Sequence, residues 1–280
     1  MKVAVLGAGT MGRGIAQVFA QGSHDVFLSD SDKNALPRAR KYILDSLGKL
    51  AKKGIIRETP ESIAERITFT GDIEDTRGCN LYVEAIFERP EPKMELLRKL
   101  GPLVDKESIV ATNTSSISIN FLSSSAPDPS RFIGLHFFNP VPLMNLVEIV
   151  QGEKTSPETL ETALSITRKI GKDPVVSRDF PGFISNRILM PILKEAMLCF
   201  QEGVASAEDI DKTAKLGFNH PMGPLELSDF IGLDVVRDIM EVLYHEFGEE
   251  RFKPPIVLRN MVNSGLLGRK SGAGFYRYSD

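Results

Sequence analysis

The sequence predicts an α/β architecture: a doubly wound, mainly parallel sheet followed by an all-helical C-terminal region. Two observations predict it. In the first half, short β-branched runs alternate with helical patterns, which is how a parallel sheet covered by helices on both faces reads. After "DFPGF" (179–183) the strand pattern stops, and Ile184, Ile188, Ile192, Ala196 and Phe200 recur at helical spacing. The change of period places a boundary near Pro181, with a sheet domain over 1–181 and a helical domain over 182–280. A chain of 280 residues accommodates two domains of roughly 100–200 residues each.

The strand candidates in the first half are "KVAVLG" (2–7), "DVFLSD" (25–30), "ITFTGD" (67–72), "LYVEAI" (81–86), "SIVATN" (108–113) and "FIGLHFF" (132–138). Between the second and third, Asp32 to Glu65 is longer than one ordinary crossover and has room for a helical excursion above the sheet edge. "LVEIV" (146–150) and "DPVVSRD" (173–179) read as further strands flanking a helix that Ser156 can cap, with Pro157 suited to its first position.

Composition excludes several function classes. A net charge of −3, from 34 Lys+Arg against 37 Asp+Glu, provides no global field for nucleic acid. Cys79 and Cys199 form no CxxC and lie in no His cluster, so neither a metal site nor a disulfide framework is expected, and a reducing compartment suits them. The start "MKVAVLGAGT" lacks a signal-peptide core. No run approaches the ~18 apolar residues of a membrane span. A cytoplasmic protein without a membrane partner is the expectation.

"VLGAGTMGRG" places Gly7, Gly9 and Gly12 after a strand and before a helix. Glycines permit the tight turn and let the backbone approach a pyrophosphate, which then sits on the free N–H groups at the helix start. Gly7, Gly9, Thr10, Met11 and Gly12 are therefore candidate dinucleotide contacts. Asp30, ending the next strand, can bind the adenosine ribose hydroxyls and would repel a 2′-phosphate, which favours NAD over NADP, with Lys33 nearby working against that preference.

In an open parallel sheet the ligand binds outside the carboxyl ends of the strands. Those ends carry Glu84 and Glu88, with Lys93 beyond them; Asn113, Thr114 and Ser115; and His136 and Asn139. Each alone reads as a cap or turn residue; jointly they line one crevice. Oxidising a secondary alcohol needs a base for the hydroxyl proton while hydride leaves, and imidazole has the pKa for that work. Of the four histidines, His24 follows a turn, His220 precedes a proline, and His245 lies in an acidic surface helix, so His136 is the candidate base. Glu148, on the adjoining strand across "NPVP", can fix its tautomer.

"GLHFFNPVPLMNLVEIV", "GAGTMGRGIAQ", "TNTSSIS", "DFPGFISNRIL", "KLGFNHPMGPLELSDFIGLD" and "GRKSGAGFYRY" together resemble the 3-hydroxyacyl-CoA dehydrogenases over nearly the whole chain, most closely the short single-function members that are often 3-hydroxybutyryl-CoA dehydrogenases. The resemblance implies a Rossmann-type domain with a helical domain that dimerises, NAD as cofactor, and an acyl-CoA thioester as substrate. It implies that His136 is the base and Glu148 its partner, that Ser115 and Asn186 bond the substrate's reacting oxygen, and that Glu88, Lys93 and Asn113 touch NAD. Beside a CoA site, the helical stripe Arg38, Lys41, Lys49 and Lys52 would have nucleotide phosphates to meet, Lys49 and Lys52 foremost; otherwise it is a solvated face.

Overall fold

The structure, a computed structural model, describes residues 1–278. It divides into two compact units, Met1–Phe180 and Pro181–Asp280. The first holds β1 (Lys2–Leu6), α1 (Thr10–Gln21), β2 (Asp25–Ser29), α2 (Ala35–Lys52), α3 (Pro60–Ala64), β3 (Ile67–Thr70), β4 (Leu81–Glu84), α4 (Pro90–Leu100), β5 (Ile109–Thr112), α5 (Ile119–Ser123), β6 (Phe132–Phe137), β7 (Leu146–Gln151), α6 (Pro157–Lys169) and β8 (Asp173–Arg178). The second holds α7 (Ser185–Gln201), α8 (Ala207–Gly217), α9 (Pro224–Ile231), α10 (Leu233–Phe247) and α11 (Ile256–Asn263).

The eight strands form one sheet in the order β3-β2-β1-β4-β5-β6-β7-β8. All pairs are parallel except β6 with β7. The chain winds outward from β1 through β2 to β3, then returns to place β4 on the other side of β1. That reversal opens a crevice at the carboxyl ends of β1 and β4, where a doubly wound sheet takes its ligand. The inner strands are apolar on both faces because helices cover both: Val3, Val5, Val26, Leu28, Val83, Ala111 and Ile133 are buried in one cluster with Ile15, Ala16 and Phe19 of α1.

The long segment after β2 holds α2 and α3, and α2 is less of an excursion than its length suggests. Ala39, Ile43 and Leu47 on its inner face join the same core cluster, and Leu50 is buried as well. Ser156 caps α6 by accepting from Thr159 N, with Pro157 at its first position. β8 closes the sheet as an edge strand, where Pro174 costs no central ladder bond; its Val175 and Val176 are exposed.

In the second unit α7 has two apolar faces. Met190, Leu193 and Met197 are buried with Leu225, Val236, Met240 and Leu243 in the core of the helical unit. Of the stripe that announces the helix in the sequence, Ile184, Ile188 and Ile192 form the other face, 38, 58 and 42 % exposed, while Ala196 is buried in the core and Phe200 packs against it. Two buried carboxylates fasten the C-terminal segment. Asp211 accepts from Leu225 N and Glu226 N at the start of α9 and from Tyr276 Oη, and Asp229 accepts from Phe275 N, Tyr276 N and Tyr278 Oη. The second glycine of "GAGFY" follows from this, since a Cβ on Gly274 would lie 2.0 Å from Asp229 Oδ1.

Candidate active site

The loop between β1 and α1 shows why three glycines stand there. Gly7 has φ +108°, a conformation costly for other residues, and a Cβ on it would lie 2.6 Å from the Ala85 carbonyl oxygen. On Gly12, a Cβ would lie 1.7 Å from the Gly7 carbonyl oxygen, so α1 could not approach its own loop. Gly9 differs: a Cβ there would meet nothing within 4 Å. No protein atom requires glycine at that position, which fits a loop shaped for something to approach its backbone. Gly9 is the N-cap of α1, no side chain caps the helix, and its first turn holds no acidic residue. Thr10, Met11 and Gly12 thus present a helix start suited to an anion, which fits a dinucleotide pyrophosphate.

Asp30 lies just past β2. Its Oδ2 accepts from Ala8 N at 2.7 Å and its Oδ1 from Asp32 N at 2.8 Å. Its carboxylate therefore braces the glycine loop from the position where a ribose would lie.

At the ends of β4 and β5, Glu88 gathers the turn that follows β5. Its Oε1 accepts from Thr114 Oγ1 and Ser115 N at 2.7 Å, from Ser115 Oγ and Ser116 N at 3.1 Å, and from Ser116 Oγ at 3.3 Å. Burial raises the pKa of Glu88, but the Lys93 charge and the bonds from Thr114 and Ser115 outweigh it and hold the carboxyl below the usual range. Lys93, expected at the cofactor, is itself 1 % exposed; its Nζ donates to both oxygens of Glu84 at 2.7 and 2.8 Å and lies 3.3 Å from Glu88 Oε2. Its ammonium is turned to these two carboxylates, with Glu88 the more exposed of them. Asn113 ties neighbouring strand ends together, its Oδ1 accepting from Phe137 N at 2.9 Å.

His136 and Glu148 are direct partners in the β6–β7 register. An antiparallel pair brings facing side chains onto the same side of the sheet, and His136 Nδ1 lies 3.1 Å from Glu148 Oε2. Both are buried, at 7 and 1 % exposure. Because an ionised carboxylate only accepts, the bond places the proton of neutral His136 on Nδ1 and the lone pair on Nε2. The turn joining the two strands includes the cis Asn139–Pro140 bond and is held from outside by a cation that sequence reasoning missed. Lys172 Nζ donates to the carbonyls of Val141 and Met144, each at 2.8 Å, and burial pushes its pKa down. A lone Lys before an edge strand carries no sequence signal for that role.

Asn186 is buried in the first turn of α7, in the helical unit. Lys49 and Lys52 are exposed on the outer face of α2, with Lys41, while Arg38 of the same stripe pairs with Asp32 at 3.1 Å. The stripe is exposed, and its charge is already neutralised in part at Arg38.

Comparisons with known proteins meet this geometry. The family model for the NAD-binding domain of 3-hydroxyacyl-CoA dehydrogenase matches residues 2–180, and that for the C-terminal domain of the same enzyme matches 182–278. A probable 3-hydroxybutyryl-CoA dehydrogenase of Deinococcus radiodurans is 52 % identical over 278 residues, 99 % of this chain and 100 % of the relative. A 3-hydroxybutyryl-CoA dehydrogenase of Clostridioides difficile is 44 % identical, with both chains covered in full. The crystal structure of an (S)-3-hydroxybutyryl-CoA dehydrogenase from Ralstonia eutropha superposes with a TM-score of 0.95 at 41 % identity, covering 100 % of this chain and 99 % of that one. With both of its domains matched and its fold shared from end to end, the chain belongs to the 3-hydroxyacyl-CoA dehydrogenase family.

Proposed function

We propose that this NAD-linked dehydrogenase reversibly oxidises the hydroxyl of a short-chain L-3-hydroxyacyl-CoA, 3-hydroxybutyryl-CoA first among them, to the 3-ketoacyl-CoA. The observation that carries the reading is the His136–Glu148 bond at 3.1 Å, beside strand ends that carry Ser115 and Glu88. His136 Nε2 takes the substrate hydroxyl proton. Glu148 holds the ring in the tautomer that leaves this nitrogen basic and stabilises the imidazolium once it forms. Ser115 and Asn186 donate to the oxygen as it acquires alkoxide character. NAD, held by Gly7, Gly9, Thr10, Met11, Gly12, Asp30, Glu88 and Asn113, supplies the hydride acceptor. In the reverse direction imidazolium returns the proton to the oxygen.

The substrate class rests on the resemblance and on the names of the relatives; the stripe with Lys49 and Lys52 is its candidate contact for CoA phosphates. A second copy of the chain is the partner that fits the outer apolar face of α7, and a cytoplasmic place in fatty-acid or butanoate metabolism suits this chemistry and two free cysteines. Following NADH consumption at 340 nm with acetoacetyl-CoA tests the reading. Turnover with the CoA thioester and little with free acetoacetate is the expected result; the opposite preference would sink the substrate assignment, and NADH binding without turnover would leave only a cofactor-binding protein.

A further inference from the structure

Glu84 is a fully buried carboxylate at the last position of β4, 0 % exposed. Four donations fix it: Ile86 N and Lys93 Nζ reach Oε1 at 2.7 Å each, while Lys93 Nζ and Thr112 Oγ1 reach Oε2 at 2.8 and 2.5 Å. An ammonium has three protons, and those of Lys93 face both oxygens of Glu84 and, less closely, Glu88 Oε2 at 3.3 Å. Two carboxylates therefore share one buried cation. One of them is sealed in the sheet; the other, 36 % exposed in its side chain, holds the turn that carries Ser115.

Stability is a weak reason for such an arrangement, because a buried ion pair is commonly matched or bettered by apolar residues of the same volume. What an apolar pair could not supply is a fixed cation beneath Glu88. Nor would Lys93 alone serve. Without Glu84 its nearest anion would be Glu88, whose Oε2 it already faces at 3.3 Å, and a full contact there would pull the carboxylate away from the five donors of the Thr114–Ser116 turn that hold its Oε1.

We propose that Glu84 is a positioning residue: by holding Lys93 back, it sets how Glu88 is shared between that ammonium and the turn bearing Ser115. The functional half of this inference rests on the reading above, which places Glu88 and Ser115 at the ligand site.

Two variants of the full-length protein test it through one direct readout, the titration of Glu88 followed by NMR of ¹³C-carboxyl-labelled glutamate and assigned with Glu88→Gln. Glu84→Gln with Lys93→Met replaces the pair by neutral residues of similar volume and removes the cation facing Glu88. The Glu88 midpoint should rise by about one pH unit or more, and NADH affinity, measured by fluorescence, should weaken several-fold at pH values below the new midpoint. Glu84→Gln alone leaves Lys93 with Glu88 as its remaining carboxylate, so the midpoint should fall instead, while KM for NADH rises across the whole pH range. The rise in the double variant reports loss of the cation whatever the role of the pair; the single variant separates positioning from a packing role, which predicts no fall in its midpoint. An unchanged midpoint in a folded double variant overturns the proposal. If the double variant does not fold, the single one decides, and no fall in its midpoint overturns the proposal equally. Shifted midpoints with NADH binding and kinetics untouched at every pH would keep the positioning of Glu88 and overturn its place at the cofactor. Failure of the parent protein to bind NADH would sink the activity reading and leave the titration to decide this one.

Discussion

A methyl group added at Gly12 and one added at Gly9 meet opposite surroundings, 1.7 Å from a carbonyl oxygen in one case and open space in the other. Gly12→Ala should therefore lose several kcal/mol, about 3 or more, in urea unfolding, since neither backbone can yield without displacing α1. Gly9→Ala should unfold with the parent yet bind NADH at least tenfold more weakly, because the only thing its methyl obstructs is a ligand; unchanged binding would show that the pyrophosphate lies elsewhere. His136→Ala should lower kcat by roughly 10²–10⁴ with little change in NADH affinity. Glu148→Gln should act on the same step with a similar or smaller loss. Stopped-flow rates of the double variant then discriminate: fully additive losses would mean that the two do not work as a unit. The contact between this pair was legible in the sequence, because a strand-end histidine and a mid-strand acid stood on adjoining runs. Lys172 was not legible, since a cation that binds only backbone carbonyls needs no partner side chain that a sequence could display.

Among the elements, α2 shows how far periodicity reaches. Its four cations share one face in the sequence, and that face is the one turned away from Ala39, Ile43, Leu47 and Leu50. Periodicity establishes which residues face outward and is silent on whether anything waits there. If the CoA phosphates do, Lys52→Ala should raise KM for acetoacetyl-CoA several-fold and leave a truncated pantetheine thioester unaffected. Added salt should reproduce the effect in the parent, since exposed charges are screened over about 8–10 Å near physiological ionic strength. Equal behaviour of both thioesters would return the stripe to a solvated face. Arg38 should matter least of the four, because Asp32 already offsets its charge. The strands were legible for a complementary reason: in a sheet covered on both faces most positions are apolar, so a short β-branched run marks the element with no need for alternation.

For the whole molecule, the sheet followed by helices was readable because the two halves carry different hydrophobic periods. What the sequence concealed is that α7 has two apolar faces, with Met190, Leu193 and Met197 inward and Ile184, Ile188 and Ile192 outward. A period of 3.6 registers both alike. Ile188→Asp should leave far-ultraviolet circular dichroism unchanged and shift the mass measured by light scattering from two chains toward one. A parent protein that scatters as a single chain at micromolar concentration would remove α7 from any interface. The β6–β7 hairpin has a further consequence, for evolution and grafting. Because β7 runs against β6, a base and its carboxylate that a parallel sheet would draw from segments a full crossover apart are encoded within 17 residues, Gly134 to Val150. Such a stretch can be duplicated, recombined or transplanted as one exon-sized cassette with its internal geometry intact. The cassette must keep Gly134 and a turn of unaltered length, since a Cβ on Gly134 would lie 2.8 Å from Val150, and the recipient must leave room where Ile119 approaches the same point to 2.9 Å. A single inserted residue would slip the register and turn histidine and glutamate to opposite faces of the sheet, so surviving length variation among relatives should avoid 138–145 and collect in the exposed loops.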